Sequence, residues 1–280
     1  MSARPPATKS ELIERIEQTW RDFVSALDAV PSADRDLPGA CGYWTVGELL
    51  RHISYWEGKI PEYIQRDHLG LPEQPTDVDR ENWLVVGQAP RQPIDSVLRD
   101  LYFTHEVAAI AIRQLDALSA DVLEQIACES WDHYPEHTEQ LKAWAAISSA
   151  PGRRYHAVTE GTLALAATIP AERRELPGAC GDWSVKEILG HLAYWDEARI
   201  NEINHKHGRL AEIPDYDAYD EDDQERRAGE PWEQVVARTR SVAGLLADVL
   251  ATSDESGIGD PIHTHWCEHF RHIRDCAYRE

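Results

Sequence analysis

The chain is short of positive charge. Its 280 residues carry 28 Lys and Arg against 50 Asp and Glu, a formal net charge of -22. The basic surface that neutralises phosphates is missing, which excludes duplex DNA and an anionic membrane as the main partner. Long apolar runs are missing too: none approaches the ~18 residues of a membrane-spanning helix. The opening residues, MSARPPATKSELIERI, lack the apolar core of a secretion signal and pass directly into an amphipathic pattern. There are five cysteines, Cys41, Cys128, Cys180, Cys267 and Cys276. An odd number with no CxxC pair is not a disulfide framework and fits reduced thiols. These absences predict a cytoplasmic protein whose acidity is a solvated surface. Alternating Val/Ile/Thr runs bounded by hairpin turns are also scarce, which argues against a β fold. At 42% hydrophobic and 28% charged residues, wholesale disorder is excluded.

What is present is a repeat. Residues 32–57 read SADRDLPGACGYWTVGELLRHISYWE and residues 171–196 read AERRELPGACGDWSVKEILGHLAYWD, with 14 of 26 positions identical at an offset of 139. A second match pairs HYPEH at 133–137 with HWCEH at 265–269, at an offset of 132. The chain therefore reads as a tandem duplication, far longer in period than solenoid repeats. The expected domains are 1–148 and 149–280, joined by the small, polar Ile147-Ser-Ser-Ala-Pro-Gly152.

Each half reads as four helices. Thr8 with Glu11 forms a capping box ahead of Leu12, Ile13, Ile16, Trp20, Phe23, Val24 and Leu27, which recur at helical spacing. Thr45-Val-Gly-Glu48 and Ser184-Val-Lys-Glu187 open the second helix of each half, and Pro61 is expected to kink the first copy. Third helices are expected from Pro93 and Pro231, and fourth helices over roughly 132–148 and 261–278. The predicted fold is all-α: two tandem antiparallel four-helix bundles, packed as a pseudo-dimer within one monomeric chain.

Thirteen histidines are present, and six occupy matched places: His52, His133 and His137, then His191, His265 and His269. Imidazoles at i and i+4 share one helix face, about 6 Å apart, and can grip one ion. A third imidazole comes from the second helix, which a bundle brings within ~8–10 Å. Three neutral donors leave a coordination position open, the pattern of a catalytic site. Such an ion activates water, a thiol or a carbonyl. Imidazole suits Zn, Ni, Fe and Mn alike, so the expected cofactor is a divalent transition metal in both halves, in one, or in neither. Pro135 lies inside the first His pair and predicts that the first site is distorted and the second better preserved.

The remaining candidates surround these histidines. Glu48 and Glu187, one turn before His52 and His191, serve as helix caps or as bases; Tyr55 and Tyr194 are the other candidate catalytic groups; Trp56 and Trp195 wall the pocket. Both His pairs also match HxxEH, which would make Glu136 or Glu268 the base of a metalloprotease. That reading lacks a downstream carboxylate ligand and a long catalytic domain.

WTVGELLRHISYWE, WSVKEILGHLAYWD and the terminal HYPEH and HWCEH segments resemble the DinB-like superfamily, and within it the ClbS/DfsB family most of all. Asp79-Arg-Glu-Asn82 is similar to that family's middle segment, whereas the second copy departs from it with Asp217 and Asp220. The resemblance implies a bacterial, cytosolic bundle with one metal-binding His from the second helix and two from the fourth. It implies a small-molecule substrate: an electrophile, one that alkylates DNA among them, hydrolysed or ring-opened in detoxification or self-resistance. Two alternatives stay open, a metal-dependent transferase using an external thiol of the bacillithiol or mycothiol type, and a non-catalytic protein that sequesters its ligand.

Overall fold

The computed structural model describes the chain except residues 1–5, 7, 73, 89–91, 116–118, 149, 205–228, 253–258 and 280, and the side chains of 148, 202, 204 and 259–263. Among the described residues there is no strand, only an isolated bridge between Cys180 and Trp183. None of the described helices is long and apolar enough to cross a membrane. The chain divides into two compact units, one of 1–36 and 44–145, the other of 37–43 and 146–280.

In the first unit, α1 (Lys9–Asp28) begins where the Thr8 hydroxyl accepts the Glu11 N–H, and it buries Leu12, Ile16, Trp20, Phe23 and Leu27 along one stripe. Helix α2 (Val46–Glu57) is opened by the complete Thr45/Glu48 capping box. It stops at Gly58. Pro61 then lies in the first turn of a separate helix, α3 (Ile60–His68), so the proline starts a helix and does not kink one. Next come α4 (Val78–Asn82) and a π-helical turn over Trp83–Gln88. Helix α5 (Ile94–Arg113) follows Pro93 as expected. A short α6 (Ala120–Cys128) precedes α7 (Tyr134–Ser148). Four long helices are thus supplemented by shorter elements that the periodicity alone did not separate.

The second unit is plainer. Helix α8 (Pro151–Thr168) is followed by a 3-10 turn, then α9 (Val185–Asn204), α10 (Trp232–Thr252) and α11 (Gly259–Ala277). Helices α10 and α11 each pack on both α8 and α9. Pro151 and Gly152 belong to the first turn of α8 and not to a linker. The glycine is required there: a Cβ on Gly152 would lie 2.3 Å from the Ala247 carbonyl oxygen. The start of α8 therefore presses against the end of α10, an antiparallel crossing made close by the missing side chain.

Candidate metal centre

The first unit brings His52, His133 and His137 to one point. His52 projects from α2, His133 immediately precedes α7 and His137 lies in its first turn. His52 Nε2 is 3.0 Å from His133 Nε2, and His137 Nε2 is 2.9 Å from that same nitrogen. Pro135 is the second residue of α7, where a missing N–H breaks no helical bond, so the expected distortion of this site does not occur.

The other face of each ring decides which nitrogen carries the proton. Asn82 Oδ1 accepts the Trp56 indole N–H at 2.9 Å and lies 2.8 Å from His52 Nδ1. An indole only donates, so the atom between them is an oxygen and His52 Nδ1–H donates to it. His137 Nδ1–H donates to Gln140 Oε1 at 2.8 Å. Neutral His52 and His137 thus both turn an unprotonated Nε2 toward the common point. Burial, then neighbouring imidazoles, push His52 down to about 4 and His133 to about 3, and burial lowers His137 as well. His133 Nε2 lies between the His52 and His137 Nε2 acceptors, and in its Nδ1–H tautomer it would offer a third lone pair to the same point. The donor set fits a borderline transition-metal ion with room for a further ligand. His133 Nδ1 is buried and without a hydrogen-bond partner.

The second unit repeats the arrangement. His191 on α9 and His265 and His269 on α11 bring one donor atom each within 4.8 Å of the others, with His191 Nε2 2.9 Å from His265 Nε2. An aromatic wall accompanies each cluster. Trp44 lies 5.1 Å from His52 between ring centres, and Trp183 lies 4.7 Å from His191. Trp56 and Trp195 stand 6.4 and 6.3 Å from the same two histidines.

The candidate acids and bases fall elsewhere. Glu48 accepts the Thr45 backbone N–H at 2.8 Å and Glu187 accepts the Ser184 N–H at 2.7 Å, so each closes a helix end. Glu136 and Glu268 of the HxxEH pattern are exposed. Tyr55 donates to Glu81, beside Asn82, and the Lys59 ammonium lies 4.8 Å above its ring. Burial, and then the Glu81 bond, hold the Tyr55 hydroxyl in its protonated form. Tyr194 packs on Trp195 at 5.7 Å, while Asp217 and Asp220 lie outside the described residues. Asn82, Glu81 and Gln140 were not singled out by residue chemistry. Only the resemblance of the Asp79–Asn82 segment pointed near them.

Helical units that each bring three imidazoles together define a class: bundle proteins whose three-His cluster could hold a metal ion. The profile of the DinB superfamily matches residues 15–147 and again residues 154–278. The chain belongs to that superfamily and carries its domain twice. No curated protein and no solved structure matches it.

Proposed function

We propose that this chain is a metal-dependent enzyme of the ClbS/DfsB type that hydrolyses or ring-opens a small electrophile in the bacterial cytoplasm. The observation supporting this most is the convergence of three Nε2 atoms in the first unit, two of them held unprotonated by Asn82 and Gln140. His52, His133 and His137 would hold one ion, and His191, His265 and His269 a second. A bound divalent ion would supply Lewis acidity and an acidified water. The protein's own groups do the rest. Asn82 fixes the His52 tautomer, and Trp44 and Trp56 keep bulk water from the imidazoles. Tyr55, held protonated, would be the proton donor for a leaving oxygen once its hydroxyl turns from Glu81, and Glu48, expected as a helix cap or a base, is taken as the cap. In this reading the two bundles stand in for two subunits of one monomeric chain.

The test is turnover. Untagged protein loaded with metal is offered an excess of epoxides and activated cyclopropanes, with and without a low-molecular-weight thiol. Product exceeding the protein concentration, lost in His52→Ala with His191→Ala, supports the enzyme. Product formed only with thiol moves the reading to S-transfer. Consumption that stops at one or two equivalents moves it to sequestration.

A further inference from the structure

His269 belongs to two clusters. Besides the three-His group, one donor atom each from Cys180, His269 and His272 lies within 4.8 Å of the other two. We propose that the second unit holds an additional, thiolate-bearing cation position formed by Cys180, His272 and His269, which the first unit lacks.

The geometry begins with the turn that carries the thiol. Cys180 and Trp183 exchange backbone hydrogen bonds, at 3.0 Å for Trp183 N–H to Cys180 O and 3.2 Å for the reverse. Gly178 at φ 102° and Gly181 at φ 58° supply the left-handed backbone that the turn needs. This holds the Cys180 sulfur 3.9 Å from His272 Nε2. Tetrahedral coordination at ordinary Zn–S and Zn–N lengths places such atoms about 3.6 Å apart, so a small side-chain rotation closes the pair. His272 faces the sulfur with Nε2 and meets His269 Nδ1 at 3.4 Å with its other nitrogen, so it would ligate through Nε2 alone. In the first unit His137 turns its Nδ1 to Gln140, the residue three positions on. His272 stands where Gln140 does, at the repeat offset of 132. An amide has been replaced by an imidazole, a far better ligand for a borderline or soft cation.

Cys180 and His272 are half-buried, so an ion can reach them from solvent. On binding, the metal–sulfur bond forms as the thiol proton leaves to solvent; with the three-His position also filled, the second ring proton of His269 leaves to solvent as well and the ring bridges the two ions as an imidazolate. Thiolate with imidazole selects Zn(II) or Cu(I) over magnesium or calcium.

The probe is Co(II) titrated into reduced, metal-free, untagged protein. Sulfur coordination adds a near-ultraviolet charge-transfer band that all-imidazole sites do not give, so this site is read apart from the three-His centres. The band is expected in the native chain, lost in Cys180→Ala, and lost in His272→Gln, which installs the first unit's own residue. Cys41→Ala should leave it unchanged. No band at saturating Co(II), or one that survives Cys180→Ala, overturns the proposal. If His272→Gln fails to fold, which its circular dichroism would show, Cys180→Ser carries the same test.

Discussion

In the first unit the carboxylate that ends α2, Glu57, lies 2.7 Å from His105 Nδ1 of α5 and accepts the Tyr134 hydroxyl of α7. Trp20 of α1 stacks on that histidine at 3.8 Å. In the second unit the matching Asp196 accepts the Tyr155 hydroxyl from α8 and the Trp266 indole N–H from α11, at 3.3 Å. Both carboxylates are buried, and each has one partner on the matching last helix, Tyr134 or Trp266. The other comes from the third long helix in the first unit, His105, and from the first helix in the second, Tyr155. The neighbours of the imidazoles have drifted in the same way, with Gln140 against His137 and His272 against His269. What stays constant is the set of six histidines and the two capped helices that aim one of each three. A duplicated bundle can redraw the network around a buried charge, because any well-placed donor satisfies it. Three donors that must meet at one point leave far less freedom.

The comparison breaks most visibly if the histidines are removed. His52→Ala is expected to abolish metal binding in the first unit alone, and His191→Ala the three-His binding of the second alone. Elemental analysis of untagged protein reads this directly, and one variant emptying both units would show that the centres are not independent.

Next in size is the pH response of the second unit. Burial pushes Asp196 up to about 7. Between about pH 4 and 7 the folded state keeps a proton that the unfolded chain releases, so stability is full below that window. It falls as pH rises through it, by on the order of 4 kcal/mol at most. Asp196→Asn keeps an oxygen acceptor for Tyr155 and Trp266 and should flatten the slope, measured by hydrogen exchange of α9 and α11. An unchanged slope would assign the effect to another group.

These outcomes bear on what the sequence could reveal. The six histidines were legible because they recur at matched places, and the two second helices because their capping boxes are local. Both Pro61 and Pro151 were misread: a proline at a helix start and one inside a helix look alike until the hydrogen bonds are known. Pro135 misled for the same reason, since its effect depends on where α7 begins. His105, Tyr155 and Asn82 were invisible as partners, because each meets its target across dozens of residues. No periodicity carries such a pairing.

A smaller effect sharpens the Asn82 assignment. Asn82→Ala should weaken metal binding in the first unit about 10- to 100-fold and leave the second untouched, while Asn82→Asp restores the acceptor for His52. Isothermal titration separates the two units if His191→Ala is the background. The smallest contrast lies at the caps. Thr45→Ala and Ser184→Ala remove equivalent hydroxyls and should each cost about 1 kcal/mol, seen as faster exchange at the start of α2 or α9. A large asymmetry would show that the two helix starts have diverged along with their surroundings.

The most direct measurement is a crystal structure of the metal-loaded, untagged protein with anomalous scattering recorded at the edge of the bound element. The account predicts one peak about 2.0–2.2 Å from the Nε2 atoms of His52, His133 and His137, and an equivalent peak at His191, His265 and His269. Density without an anomalous signal at both clusters, under conditions where the ion binds elsewhere on the chain, would contradict it.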